Sequence, residues 1–567
     1  MTEIHPLLNS VVLTRLFELI PFDFKEYENF RLVSKTWYNQ TLPVWRKNVW
    51  ISISTSPSKE NPKEIQNSDF EYSRKGISLE EYLDHLDKNN LNVVHYPFRK
   101  YSIEGWNISL QNDVIFSFWK RMGPQMTHLS IKCSQFARVD DLRHILFQFT
   151  PNLKCLKLIQ NVYKDKRPEN KVQRLNPKLP QHILKSNFLQ RNLVELEIEL
   201  VEEFGPEVNL PITWMELLLH FPNIHKLGPL RMGCTQPIAE LREFFEAVEI
   251  LRRENGLKYF ANLSELDIMQ ETRGRPEAMI SCITRLQFPL KRLALNIGWF
   301  TQKTVLKRLL ETCCNSLENL SVNRGTPPPI DLAPLPNFPF GLKFPHLKEL
   351  SLSGPVTPNL MFLQEIPSLE LLKYKPTNEA RFEQKLDEVL LRGSKMKAKN
   401  LKDLSIISDG CSAVEICKLG QLIPNVRKLQ IGLDNEGFRE VCKTWRKLES
   451  IEIVPFRVGE EGILGKDEKG KGGANFLLPN ITQLQDLKVF KMQRLMDSSS
   501  RFGLTNKVVL KGILALKFLE EVDLTLSSEV KSIVCSQLLE KIPRSKILVL
   551  GQQPTREGRQ ERGGGDN

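Results

Sequence analysis

The sequence predicts an α/β solenoid, curved, with parallel strands inside and helices outside, behind a small N-terminal helical module. Three observations point there. Leu-x-x-Leu-x-(Leu/Ile/Val) recurs along most of the chain. Helix-like segments stand between many of the copies. The first fifty residues carry two amphipathic runs at helical rather than strand spacing.

The N-terminal module comes first in chain order. Leu7, Leu8, Val12, Leu13, Leu16, Phe17 and Ile20 form an apolar stripe wide enough to pack, and Pro21 and Asp23 end it. A shorter run follows and closes on Phe30-Arg31-Leu32-Val33-Ser34-Lys35-Thr36-Trp37. So small a module buries little core alone and gains stability by docking. An ordinary helical cap over the end of a larger core would also fit.

The repeat follows. Clean copies are Leu153/Leu156/Leu158, Leu193/Leu196/Ile198, Leu263/Leu266/Ile268, Leu290/Leu293/Leu295, Leu317/Leu320/Val322, Leu347/Leu350/Leu352 and Leu401/Leu404/Ile406. Weaker ones are Met126/Leu129/Ile131, Ile224/Leu227, Leu369/Leu372/Tyr374, Val426/Leu429/Ile431, Leu448/Ile451/Ile453, Leu487/Phe490/Met492 and Leu519/Val522/Leu524. The second and third apolar positions are two apart, as the inward face of a short strand requires. The first anchors the turn entering that strand. Helix-like segments occupy 140–148, 238–253, 304–312, 382–391, 438–445 and 529–541. One strand and one helix cannot cover each other's apolar side, so neighbours must stack. Pro151-Asn152, Pro222-Asn223 and Pro424-Asn425 open strands by stopping the preceding helix.

This series resembles a leucine-rich repeat of the long, helix-containing kind, though its mean period of about 30 residues sits slightly above the roughly 20–29 usual for that family. The family's Asn or Cys three residues beyond the strand is present as Asn161 and mostly absent elsewhere. The N-terminal run resembles an F-box over about 45 residues. The resemblance implies binding to a Skp-type adaptor of a cullin-RING ubiquitin ligase. The contacts it implies are Pro6, Leu7 and Leu8 at the entry, Leu13 and Leu16 on the first helix, and Val33 and Trp37 on the last. The sequence departs from the family where Leu-Pro reads Pro6-Leu7-Leu8 and where Asp-Leu reads Glu26-Tyr27. An N-terminal F-box followed by leucine-rich repeats is itself a pairing known in the family.

The expected domain order is an F-box-like module over residues 1–50, a linker and solenoid cap over 51–120, an irregular repeat array over 121–550, and a disordered tail over 551–567. Residues 54–76 read as a linker, 163–180 as a basic insertion, 326–344 as a polyproline-like loop, and 458–475 as a Gly-, Lys- and Glu-rich insertion.

The 567-residue chain is far above single-core size, and its 41% hydrophobic content suffices for a long continuous core. No apolar run reaches membrane-span length, and the N-terminus shows no secretory signal pattern. Ten scattered cysteines fit a reduced protein of the cytoplasm, the nucleus or both. The net charge of +12 includes clusters at residues 164–178 and 392–402. These fit an acidic protein partner, a phosphorylated segment or a plain solvated face. They lack the interleaved aromatics of a nucleic-acid groove.

Catalytic signals are missing. Gly462–Asp467 departs twice from a phosphate loop, Cys313-Cys314 lacks a second ligand pair, and no nucleophile elbow occurs. No catalytic, cofactor-binding or metal-binding residue is expected, and no cofactor. The expected function is that of a non-catalytic substrate receptor of an SCF-type (Skp–cullin–F-box) ubiquitin ligase. The F-box would hold the adaptor and cullin scaffold, and the repeats a protein substrate, with ubiquitin transferred by partner subunits. Membrane is excluded as a partner and nucleic acid is disfavoured. The alternative is a leucine-rich-repeat interaction scaffold with no ligase role.

Overall fold

A computed structural model describes Trp37 and residues 50–55, 77–88, 98–136, 139–162, 190–202, 219–231, 237–255, 259–268, 276–297, 302–323, 335–338, 341–353, 356–358, 363, 366–375, 398–456, 458, 460–465, 468–469, 475–476, 479–492, 504–526, 532–542 and 544–549. The chain divides into two units, residues 1–305 and 306–567.

The first unit is a parallel ladder. Its strands are β1 (Trp50–Ser54), β2 (Ile77–Ser78), β3 (Lys100–Ile108), β4 (His128–Phe136), β5 (Cys155–Val162), β6 (Glu195–Glu202), β7 (Lys226–Arg231), β8 (Glu265–Ile268) and β9 (Arg292–Asn296). Hydrogen bonding runs β2–β1–β3–β4–β5–β6–β7–β8–β9, with the repeat copies in register: Leu129 faces Leu156, Leu156 faces Leu196, and Leu266 faces Leu293. A Leu at every second position puts each copy's last two leucines on one side of the strand, where they are buried with the first. Helices Leu79–Lys88, Asp113–Met122, Pro237–Asn255 and Glu277–Leu286 belong to the same unit. Helix Asp113–Met122 shows why the sequence folds locally. Asn112 accepts from the Val114 and Ile115 amides, while Ile115, Phe118, Trp119 and Met122 form its buried stripe.

The second unit repeats the plan. After helix Lys303–Cys313 come β10 (Asn319–Asn323), β11 (Leu335–Phe338), β12 (Glu349–Ser353), β13 (Val356–Pro358), β14 (Leu371–Lys375), β15 (Asp403–Cys411), β16 (Lys428–Leu433) and β17 (Ser450–Phe456). Then follow β18 (Glu468–Lys469), β19 (Asn475–Phe476), β20 (Val489–Met492), β21 (Glu521–Leu526) and β22 (Arg544–Val549). The parallel ladder is β10–β12–β14–β15–β16–β17–β20–β21–β22. Helices Ala413–Leu422 and Asn435–Thr444 fill two of its crossovers. The first carries a reciprocal capping box between Ser412 and Glu415. The architecture is therefore an α/β repeat fold of the leucine-rich-repeat type.

Both ladders are locked by a second set of backbone bonds at the strand entries. Lys154 and Cys155 both donate to the Thr127 carbonyl (2.8 and 3.0 Å), and Val194 and Glu195 both donate to that of Lys154. The same forked bond links Arg427 and Lys428 to Lys402, Glu449 and Ser450 to Arg427, and Lys488 and Val489 to Glu449. Asparagine side chains add a third set. Asn152, Asn192, Asn223, Asn400 and Asn425 donate to the carbonyls of Pro124, Pro151, Arg191, Pro367 and Lys399, at 2.7–3.0 Å. The Pro-Asn pair thus does more than stop a helix. At Asn152, Asn223 and Asn425 it ties the turn to the preceding repeat, as Asn192 and Asn400 do without a proline before them, satisfying carbonyls that no helix or strand claims.

Several expectations change. The ladder reaches further toward the N-terminus than the Leu pattern does. Phe98, Tyr101 and Ile103 are a buried copy with aromatics at the leucine positions, and β1 adds Ile53. The segment expected as a polyproline-like loop contains β11, which pairs in parallel with β13. Two rungs are compatible with its prolines, which cannot donate to a long ladder. The expected insertion at 458–475 contains helix Glu460–Leu464, with Ile463 buried, and the antiparallel β18–β19 pair. In the Ile224/Leu227 copy the register shifts, so that Leu230 fills the third core position opposite Ile198. Helices missed by periodicity are Leu79–Lys88, Asp113–Met122, Glu277–Leu286, Ala413–Leu422 and Asn506–Lys511. The helix expected at 382–391 lies outside the described residues.

Candidate functional site: the open faces of the strand ladders

Because one face of each strand is buried, the intervening residues share the other. In the first unit they form rows across the ladder. One row runs Trp50, Lys100, His128, Cys155, Glu195, Lys226, Glu265 and Arg292. Most are half-buried, and Trp50 is 42% exposed.

The rows are organised by charge. Lys132 pairs with Glu104 at 2.8 Å. Lys157 and Lys226 flank Glu197 at 3.4 and 3.0 Å. Burial would raise the Glu197 pKa, but the bond and charge of Lys226, with help from Lys157, hold it below the usual carboxylate range. His128 stands edge-on to Trp50 (ring centroids 6.2 Å apart), and its Nδ1 is 2.9 Å from the Thr127 hydroxyl. Burial, then the charge of Lys100, keeps its imidazole below its ordinary pKa. The Cys155 thiol is pushed up to about 11 by burial and by Glu195 and Glu197, which disfavours a nucleophilic thiolate there.

In the second unit, Ser405 donates to Gln430 (2.6 Å), whose amide donates to Glu452 (3.0 Å), so three strands share one polar chain. Ser353 donates to Asn323 (2.6 Å), Lys428 pairs with Asp403 (3.3 Å), and Lys491 pairs with Glu521 (2.5 Å). At the strand entries, acidic and basic residues interleave along Glu318, Lys348, Glu370, Lys402, Arg427, Glu449, Lys488 and Glu520, with Lys402 and Arg427 the one pair of like-charged neighbours. Arg427 and Lys488 clamp Glu449 at 2.7 and 3.4 Å. A pocket of about 340 Å³ opens there beside Lys447, Asp486 and Phe518, the last 59% exposed.

Among the residues expected to bind the adaptor, Trp37 is helical and half-buried. Pro6, Leu7, Leu8, Leu13, Leu16 and Val33 lie outside the described residues. Burial raises the Cys313 thiol to about 12 and pushes the Cys442 thiol up as well. Among the described residues no group of three His, Cys, Asp or Glu side chains could hold a metal ion, and no helix is long and apolar enough to cross a membrane. The face residues were present in the sequence as the spacers of the Leu pattern. Their spacing carried no visible motif, since the rows join residues far apart along the chain.

No family model matches the sequence, and no curated protein matches it. Among solved structures, the Rad7 and Elc1 complex of yeast is similar over 85% of this chain and 87% of that one, at 14% identity and a TM-score of 0.31. A Bacteroides fragilis protein is similar over 55% of this chain and 84% of that one, at 15% identity and a TM-score of 0.29. Likenesses this loose say nothing about activity. The fold rests on the strand registers themselves.

Proposed function

We propose that this chain is a substrate-recognition subunit of an SCF-type ubiquitin ligase. Residues 1–50 dock on a Skp-type adaptor and through it on the cullin scaffold, using Pro6, Leu7, Leu8, Leu13, Leu16, Val33 and Trp37. The strand ladders hold a protein substrate in the cytoplasm or nucleus. The chain itself performs no chemistry, and its contribution to ubiquitin transfer is proximity.

The observation that supports the protein-binding half is the open ladder face. A parallel sheet usually hides both faces, whereas here one face presents long rows of charged and polar side chains held in register by the buried leucines beneath. Fixed rows of that kind suit recognition of a macromolecular surface. The ligase half rests on the residue pattern of positions 5–37.

Co-purification with a purified Skp-type adaptor tests it, comparing full-length protein with a Leu13→Asp/Trp37→Ala variant shown to be folded. Binding by the wild type alone supports the receptor reading. A folded wild type that captures no adaptor leaves an interaction scaffold with no ligase role.

A further inference from the structure

Three serines stand in one line across the start of the first ladder. Ser52 faces Ser102, Ser102 faces Ser130, and Ser130 faces Lys157. Neighbouring strands are about 4.8 Å apart, so two adjacent hydroxyls can reach one tetrahedral anion together. None of the three hydroxyls has a hydrogen-bond partner among the described residues. They are donors that give up only water on binding.

The charges around them are predominantly positive. Lys100 lies two residues before Ser102 on the same face, the neutral His128 two residues before Ser130, and Lys157 follows Ser130 in the row, ahead of Glu197. Glu104 lies two residues beyond Ser102 and is neutralised by Lys132 at 2.8 Å. Glu197, next to Lys157, is already shared with Lys226. Lys100 and Lys154 have no ion-pair partner among the described residues; after burial, the larger cause, both lower the His128 pKa, against Glu195, which raises it.

We propose that Ser102 and Ser130, with Lys100 and Lys157, bind the phosphate of a phosphorylated serine or threonine in a protein partner, and that Trp50 packs against the neighbouring residue of that segment. This rests on the reading of the ladder face as a protein-binding surface and specifies the chemistry of its partner. Hydroxyls and ammonium groups converging from three strands suit a dianion with three acceptor oxygens better than a carboxylate with two. One donor cluster beside one aromatic suits a single phosphate on a peptide. A nucleic-acid strand would use repeated cations and several stacking rings.

The test is calorimetric titration of the full-length protein with an acetylated Gly/Ala-flanked phosphoserine pentapeptide, and with its serine and glutamate counterparts. The phosphopeptide should bind at least about tenfold more tightly than the glutamate peptide, and inorganic phosphate should compete with it. Lys100→Ala and Ser102→Ala/Ser130→Ala should each weaken binding about fivefold or more without lowering the Tm, since all three side chains face away from the core. The His128 imidazole should also titrate at higher pH in the complex, which a merely structural loss would not produce. The proposal is overturned by no phosphopeptide binding at millimolar concentration, by equal affinity for the phospho- and glutamate peptides, or by wild-type affinity in the variants. Tighter binding of a single-stranded oligonucleotide than of the phosphopeptide also overturns it. Adaptor capture by the serine variant is measured in parallel, so failure of the phosphate site stays distinct from failure of the ligase reading.

Discussion

The indole Nε1 of Trp445 donates to the carbonyl oxygen of Ile423 at 2.8 Å, and both residues are buried. Ile423 caps helix Ala413–Leu422, and Trp445 caps helix Asn435–Thr444. One side chain therefore joins the ends of successive crossover helices and fills the core between them.

Removing that bond has a definite cost. Trp445→Phe keeps most of the volume but strands a buried carbonyl, a loss of about 1–3 kcal/mol. Trp445→Ala adds a cavity and should cost roughly 3–5 kcal/mol. Urea unfolding followed by far-ultraviolet circular dichroism distinguishes the two. An unchanged midpoint in Trp445→Phe would mean that the bond contributes nothing.

The asparagine ties make a weaker, distributed contribution. Asn425→Ala should lose about 0.5–1.5 kcal/mol by releasing the Lys399 carbonyl. Asn192→Ala, well removed along the chain, should add to it nearly independently. Hydrogen exchange is the sharper readout, because nearest-neighbour coupling in a repeat array should confine the loosening to the affected turn.

Gly228 allows a prediction from geometry alone. Its φ is +115°, and a Cβ would lie 2.3 Å from the Asp267 carbonyl oxygen in the next strand. Gly228→Ala must bend β7 away from β8 as well as strain its own backbone, for a cost of about 2 kcal/mol or more. A Tm equal to wild type would contradict this packing.

His220 gives the fold a pH dependence. Burial, then the charge of Arg143, lowers its pKa from 6.5 to about 4, and it sits edge-on to the Phe147 ring at 5.2 Å. The folded chain keeps the ring neutral while the unfolded chain protonates it. Its stabilising effect is complete above pH 6.5 and is lost as pH falls through about 4. The full effect is at most about 3 kcal/mol. Unfolding free energies at pH 7 and pH 5 should differ less in His220→Gln than in the wild type. An identical difference would place the titration elsewhere.

Much of this fold is legible in the linear pattern because a leucine triplet meets a local requirement. Leu156 and Leu158 must share one strand face, and Leu153 must close the turn before it, whatever the neighbouring repeat contains. Phe98/Tyr101/Ile103 escaped because aromatics replace leucines without changing the burial pattern. The shift at Leu230 escaped because an extra residue in a strand leaves no mark on composition. The helix Glu277–Leu286 escaped although its buried residues, Met279, Ile280, Cys282, Ile283 and Leu286, lie on one face.

The candidate surfaces were legible in neither way. By itself the sequence determined which residues point inward, since hydrophobic alternation is decided within a few bonds. The tertiary structure decided which outward residues meet. Ser52, Ser102 and Ser130 are separated by 50 and 28 residues of chain, yet lie in one row because parallel pairing aligns strands by register and is indifferent to the length of the crossover between them. A face assembled from single residues of many repeats exists only after the leucines beneath it have stacked.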